Sequence, residues 1–542
     1  MSTVRSDRRR SAKMVAAVAG ALALVVATSA CGGGKSTAST SHTFVMATQT
    51  LPSSLDATAF SGGTRPLESL LDSELFNYST NSCDTAPSAD KLTGMLVDSY
   101  QSSADRKSIT VTLKSNIKSQ YGNALTADDV KWSFERGVAL SPIVKFLSFN
   151  SAHFSKTNAI EVVSPTQFKL NLDQPTPLDL AMWTIPTFSI YDSTEAKKHT
   201  TGDDQWAKTW LATNSAGYGP WKVDSFDQGN QITVSKNPGW PGQVGNYDRV
   251  VLKQITSSSD QAQLLQSGSI NYARDLTWSQ FSDLKSSGKV DVYQCSPISR
   301  DWLVLQQKDP HLADVRVRQA ISMAIDRDAL VKGAYSGLST PALDGMLASE
   351  LPSGANVQKT SYNVEQAKQL MSQAGLSNGF DLTLNYNATQ PGSQVDQLAI
   401  LLQSQLKQIG INVKLNKLAS GNDLQSTHSS GNYQAELWSS SSALPSGYFD
   451  AGLLEPGSPN TTWGYTNKDY TDAVNALGAA VPGSPEANAA TEKIANMNIS
   501  DMVVVQLAST PNIFAMTKGL QGIDKALGTI PIQPQPAGLS AP

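Results

Sequence analysis

The chain is poor in the residues that most often build reactive centres: three cysteines and five histidines in 542 residues. No H-E-x-x-H occurs, and His42, His153, His199, His311 and His428 never fall within metal-ligand spacing of one another, so each reads as a surface or loop histidine. G-x-S-x-G is absent. Ser115–Lys118 and Ser286–Lys289 satisfy S-x-x-K, but neither has a K-T-G partner. Gly34-Lys35-Ser36 ends like a phosphate-binding loop, yet Ser29 stands where the first glycine belongs and no strand precedes it. The chain therefore reads as a non-enzyme without metal or cofactor.

Also missing is an apolar run of the roughly 20 residues a permanent membrane span needs. The longest candidate, Met14–Ala27, is preceded by Arg5, Arg8, Arg9, Arg10 and Lys13 and followed by Thr28-Ser29-Ala30-Cys31. A basic head, a short apolar stretch and small residues make residues 1–30 a secretory signal peptide. The arginine triplet leaves Sec and twin-arginine export both open. Ser29-Ala30-Cys31 resembles a bacterial lipobox, in which the first mature residue is lipidated. With Cys31 acylated, each buried CH₂ adds about 0.8 kcal/mol, so several chains would anchor the protein durably. Residues 31–43 then form a flexible tether.

Strong positive charge is missing as well. The whole chain carries −4; residues 1–30 hold five basic groups against one acid, which leaves −8 on the mature chain. No basic cluster survives cleavage, which argues against nucleic acid. Cys83 and Cys295 remain, and in an oxidising compartment they either pair or stay apart; their spacing does not decide. The length suggests two to four domains.

What is present is a set of ordered motifs. Tyr121–Arg136 reads YGNALTADDVKWSFER. Thr126 and Asp129 have the form of a capping box, with the Thr126 hydroxyl expected to accept from an orphan N–H. Val130, Phe134 and Val138 recur at helical spacing, so this helix should bury them and show Lys131, Glu135 and Arg136 to water. Leu67, Leu70, Leu71 and Leu75 suggest a helix over 65–78. Ile109, Val111 and Leu113 alternate as a half-buried strand, and 162–163 with 168–172 read as a hairpin. Gly217–Trp221 (GYGPW) precedes an alternating run and then Asn237-Pro238-Gly239-Trp240. Ala313–Gly337 (ADVRVRQAISMAIDRDALVKGAYSG) carries a helical stripe with Asp314 and Asp326 at N-caps. Beyond Ile530 the chain is Pro-rich and reads as disordered or loosely packed.

In this order the motifs resemble the family 5 solute-binding proteins of ABC importers, the oligopeptide- and dipeptide-binding group, over roughly residues 44–515. Leu55-Asp56, G-Y-G-P-W with N-P-G-W, L-L-Q-S-G-S-I-N at 264–271 and D-V-R-V-R-Q-A-I-S-M-A-I-D-R carry the match beside the Thr126 segment. The resemblance implies an α/β fold: a two-lobed clamshell of the periplasmic-binding-protein kind (type II, cluster C) with an extra subdomain on its first lobe. By motif order, lobe I would comprise 42–80, 205–296 and 500–542, the extra subdomain 81–204, and lobe III 297–499. Cys295 would then sit at a lobe crossing with Cys83 as its one remaining partner for a disulfide. The implied function is a lipid-anchored, monomeric extracellular receptor that captures an oligopeptide or other small solute for ABC permease and ATPase subunits. The alternative is a cell-envelope enzyme or a signal-sensing lipoprotein on the same fold.

The resemblance also nominates ligand-binding residues: Trp438, Ser441, Tyr433, Trp463 and Gln49. Trp438 matches a tryptophan that lines the cleft in the oligopeptide binders. Ser441 stands where those proteins place an aspartate that pairs with the peptide's α-amino group, and Leu444 replaces a further acid. A buried ammonium without a counter-charge is costly. Tyr433, Trp438, Ser439–Ser442, Tyr448 and Trp463 offer stacking faces and neutral hydrogen bonds, so the expected ligand lacks a free ammonium: a blocked peptide, an oligosaccharide or another neutral solute.

Overall fold

The computed structural model describes residues 42–523 apart from 60–66, 68–69, 72–73, 79–82, 84–91, 243, 348, 389–391, 442–443, 445 and 459–460, together with 527–528, 533–534 and 536–540. Cys31, the signal peptide and most of the tether lie outside these residues.

In chain order the strands are β1 (Thr43–Thr48), β2 (Val97–Ser102), β3 (Ser108–Leu113), β4 (Ile160–Ser164), β5 (Gln167–Asn171), β6 (Trp221–Asp227), β7 (Gln231–Lys236), β8 (Arg249–Gln254), β9 (Tyr272–Ala273), β10 (Val290–Leu305), β11 (Phe380–Asn387), β12 (Ile411–Leu418), β13 (Ala435–Ser441) and β14 (Val505–Thr517). In β3 the alternation holds: Ile109, Val111 and Leu113 are buried between half-buried neighbours. β2-β3-β5-β4 form a separate antiparallel sheet. With Thr340–Pro341 against β14, the others make an 11-stranded sheet in the order β12-β11-β13-β10-β14-β9-β1-β8-β7-β6.

β10 and β14 span both halves of that large sheet. They pair antiparallel from Val290↔Thr517 to Leu303↔Val505, with register shifts on either side of Pro297, which faces Pro511. Neither proline can donate to the ladder, so the sheet is least tied where its two halves meet. Just beside that point Cys83 and Cys295 are bonded, sulfur to sulfur at 2.11 Å. The Ser296 N–H donates to the Cys83 carbonyl at 2.7 Å. Among the described residues no helix is long and apolar enough to cross a membrane.

The helices are α1 (Ala127–Leu140), α2 (Trp278–Ser287), α3 (Val315–Met323), α4 (Arg327–Ala334), α5 (Val395–Leu406), α6 (Gly421–Ser430) and α7 (Gly447–Leu454), besides several not needed below. α1 starts at Thr126 as its sequence indicates, with both halves of the capping box present. Asp129 Oδ2 accepts from the Thr126 N–H (2.8 Å) and its hydroxyl (2.7 Å), and also from Tyr218 Oη (2.9 Å). Asp129 Oδ1 accepts from the Ser193 N–H at 2.8 Å. Asp129 therefore ties the helix start to the GYGPW segment.

Arg136 does not face water. It is fully buried and clasps Asp56 in two bonds, of 2.9 and 2.6 Å, while its Nε donates to the Trp206 carbonyl at 2.9 Å. Helical spacing placed it on the polar stripe; a partner 80 residues away puts that stripe inside. Burial opposes ionisation of Asp56, and the Arg136 hydrogen bonds and charge overcome it, holding the carboxyl below its ordinary value.

Two further expectations are corrected. Phe76–Tyr78 is a strand paired with Leu92–Gly94, so the apolar spacing of 65–78 does not continue as one helix. Past Ile530, Pro536–Ser540 is packed rather than loose: Leu539 is buried in the apolar core around β1 and β8, and Ser540 exchanges two backbone bonds with Gln521. The α3–α4 motif holds as expected, with Asp314 accepting from the Arg316 N–H and Asp326 from the Ala329 N–H at the two helix starts. Its two buried arginines, Arg318 and Arg327, serve carbonyls instead of acids, while Arg316 pairs with Asp314 at the surface. Arg327 donates to Gln506 O (2.7 Å) and Ser322 O (3.0 Å), and burial pushes it down to about 10.

Candidate binding site at the sheet crossing

β13 runs antiparallel to β10 with Trp438 opposite Trp302, Ser439 opposite Asp301 and Ser441 opposite Ser299. The segment Trp438–Ser441 therefore ends beside the Pro297–Pro511 crossing. Alternation sends Glu436 and Trp438 to one face of the sheet and Leu437, Ser439 and Ser441 to the other.

On the first face Trp438 is half-buried and stacks on the ring of His428, centroids 4.2 Å apart and planes 15° apart. His428 lies on α6, is buried, and its Nδ1 is 3.0 Å from Glu436 Oε2. It is not the surface histidine the spacing suggested. Glu436, opposite it across the strand, supplies a polar partner inside the core; burial pushes the Glu436 carboxyl up, and His428 partly offsets that. Tyr433 and Trp463 are buried too, within one apolar cluster that includes Trp302 and Val304. They stand behind Trp438 as its packing and form no open lining.

On the second face Ser439 and Ser441 are half-buried, and Ser439 lies opposite Asp301 and hydrogen-bonds its carboxylate. Asp301 Oδ2 accepts from Tyr335 Oη (2.6 Å) and Gln394 Nε2 (2.9 Å), and burial raises it to about 6 against these bonds. Gln394 also accepts from Trp278 Nε1 at 2.9 Å, and the Trp278 ring meets that of Tyr335 edge-on at 5.3 Å. Trp278 begins α2 in the β1 half, whereas Tyr335 and Gln394 belong to the β11 half. The Trp278 indole thus bridges the two halves. Gln49 is exposed at the end of β1; its N–H donates to Asp275 Oδ2 at 2.7 Å.

A second bridge follows β13. Leu444 is fully buried in the core of the four-stranded sheet, with Phe76, Tyr218 and Trp183. Tyr448 Oη lies 3.3 Å from His153 Nε2, and Arg106 donates to the Ala480 carbonyl at 3.4 Å. Beneath this bridge Arg300 pairs with Asp450 at 3.0 Å. Glu350 Oε1 and Asp450 Oδ1 meet no donor from another group, and one proton shared between the two carboxyls satisfies both. Burial, then the Asp450 charge, raises Glu350 well above its ordinary value.

Sequence reading missed Asp301, Trp278, Gln394, Glu350 and the burial of Leu444. A lone acid opening the apolar run Asp301–Leu305 was the available signal for the first. The others are joined only by contacts between distant segments.

The family described as bacterial extracellular solute-binding proteins, family 5 Middle, matches residues 91–460, more than half of the chain. The chain belongs to this family. The binding protein is 28% identical over 439 residues to the probable D,D-dipeptide-binding periplasmic protein DdpA of Escherichia coli, which covers 79% of this chain and 81% of that one. It is 26% identical over 333 residues to the glutathione-binding protein GsiB of Shigella flexneri, covering 61% of this chain and 62% of that one. It is similar in fold to the ABC transporter-associated periplasmic binding protein DppA of Helicobacter pylori in complex with the peptide STSA, with a TM-score of 0.74, 22% identity, and 89% and 95% of the two chains covered. The fold is the two-lobed α/β architecture, and the protein is an extracellular solute receptor for an ABC importer. These relatives are binding proteins, and none is described as an enzyme or a sensor.

Proposed function

We propose that this family 5 protein is a lipid-anchored receptor, monomeric and held to the membrane through Cys31, that captures a peptide-like solute without needing a free ammonium on it. Lobe I comprises 42–80, 205–296 and 500–542, the extra subdomain 81–204, and lobe III 297–499; the facing prolines at the crossing support a hinge there. The D,D-dipeptide, glutathione and STSA named for the relatives support a peptide-like ligand.

One observation carries the exclusion of an ammonium site. The two acids on or directly opposite the Trp438–Ser441 strand already hold partners: Glu436 with His428, and Asp301 with Tyr335 and Gln394. An ammonium placed against Ser439 and Ser441 would meet neutral hydroxyls, at a cost of several kcal/mol. Trp438, its ring fixed from behind by His428, supplies a stacking face, and Ser439 and Ser441 supply neutral bonds; Gln49 contributes from the end of β1.

Calorimetric titration of di- to pentapeptides, each free and N-acetylated, tests this. Acetylated peptides should bind at least as tightly as free ones. Tight binding that blocking the amine abolishes would show that another acid serves the ammonium. Anchoring has its own test: Cys31→Ser should appear in the medium or stay unprocessed, and a processed form that still fractionates with membranes would contradict the anchor.

A further inference from the structure

Arg274 is a charged side chain at the front of the β1 half to which the structure gives no hydrogen-bond partner among the described residues. It follows β9 directly, at the carboxyl end of the parallel strands β1 and β9, where α/β sheets place their ligands. Four residues further on is Trp278, which touches Tyr335 and Gln394 of the opposite half. The guanidinium therefore lies on the loop by which one half meets the other.

Its neighbour Asp275 does not neutralise it in a bond. Asp275 Oδ2 accepts from Thr48 Oγ1 (3.0 Å) and the Gln49 N–H (2.7 Å), and Asp275 Oδ1 stays 4.0 Å from Arg274 Nε. The Arg274 side chain is 21% exposed, yet its Nη1 is buried and meets no acceptor among the described residues. A guanidinium offers five N–H donors in a planar fork that fits a carboxylate in two parallel bonds. Arg136, Arg300, Arg318 and Arg327 all satisfy theirs with carboxylates or carbonyls. Leaving a buried donor unpaired is unfavourable and is rare in a folded chain.

We propose that Arg274 is the anion-recognising residue of this receptor and receives a carboxylate of the captured solute. The reading rests on the peptide-like ligand proposed above. It also complements what the Ser441 side lacks: the solute is gripped by its negative end and needs no positive one. Gln49 and Thr48 hold Asp275 away from Arg274, so the fork stays open to the ligand.

The test uses the full mature protein and four probes by calorimetry: N-acetyl-trialanine, its C-terminal amide, the amide with one residue replaced by glutamate, and maltotriose. The native protein should bind the acid more tightly than the amide by about tenfold to a hundredfold, the usual worth of a charge-assisted bond. Arg274→Gln should abolish that preference, and Arg274→Lys should restore part of it. Melting temperatures of both variants should match the native protein, because no protein group is left unpaired by the change. Recovery of affinity by the glutamate probe supports the assignment and places the carboxylate on a side chain. Equal affinity for acid and amide overturns the role of Arg274 while the peptide-like reading stands. An acid preference that survives in Arg274→Gln overturns it as well. Binding of maltotriose with no binding of any peptide, or no binding of any probe, overturns both.

Discussion

Replacing Arg136 by methionine removes the cation that neutralises a carboxylate buried between the first strand region and the extra sheet. Asp56 is only 2% exposed and Arg136 is 0% exposed, so solvent cannot take over the charge. Tyr191 Oη at 2.9 Å and Thr58 Oγ1 at 2.8 Å remain as donors to Asp56, but neither carries charge. Breaking one side of such a pair costs about 3–5 kcal/mol, and Asp56→Leu should cost a similar amount. The double replacement removes both charges and should cost less than either single change, because no buried ion is stranded. Denaturation in urea followed by tryptophan fluorescence reports this directly, since Trp132 lies 5.9 Å from the Arg136 guanidinium carbon.

The pH dependence has a definite sign. The folded carboxyl lies below the unfolded value of 3.8, so the pair stabilises fully above that value and its contribution is lost as pH falls through the folded pKa. The deficit of Arg136→Met should therefore narrow in strong acid. Single variants that lose under about 1 kcal/mol, or a double variant whose loss is the sum of the singles, would refute the buried-pair reasoning.

Three further outcomes are expected. Leu444→Ala removes a fully buried side chain from the bridge between the β13 segment and the four-stranded sheet, so up to about 2–5 kcal/mol should be lost from the closed form; weaker ligand binding and a larger scattering radius check it, and unchanged binding with lower thermal stability would contradict it. Glu350→Gln should stabilise at neutral pH, because a folded pKa raised above 4.5 costs about 1.4 kcal/mol per pH unit from that value up to the folded pKa; melting curves should converge below pH 4, and a destabilised variant at pH 7 would contradict it. Thiol labelling of the unfolded, unreduced mature protein should find no reactive cysteine at 83 or 295, and reduction should lower stability by about 2–5 kcal/mol.

Much of the fold was legible because local spacing governs it. The Ile109–Leu113 alternation, the Thr126 cap and the Asp314 and Asp326 caps depend on residues at most a few positions apart. Arg136 was misplaced because its partner Asp56 sits in a separate motif, and no periodicity reports which polar stripe finds a distant acid. His428 was misplaced similarly: the pairing of Glu436 and the stack on Trp438 arise only when α6 folds back over β13. Tyr433 and Trp463 look like exposed binding aromatics in sequence, since nothing local distinguishes a stacking face from the packing behind it. Arg274 carried no motif at all. Its interest lies in a missing partner, which only the assembled loop reveals.

Native mass spectrometry of the mature protein purified from its own source tests the receptor reading most directly. A small, carboxylate-bearing solute should be held non-covalently in stoichiometric amount, and its removal and return should open and close the lobes in solution scattering. Protein that carries no solute from its own source and keeps one scattering radius whatever is added, or that returns an added solute chemically altered, would contradict it.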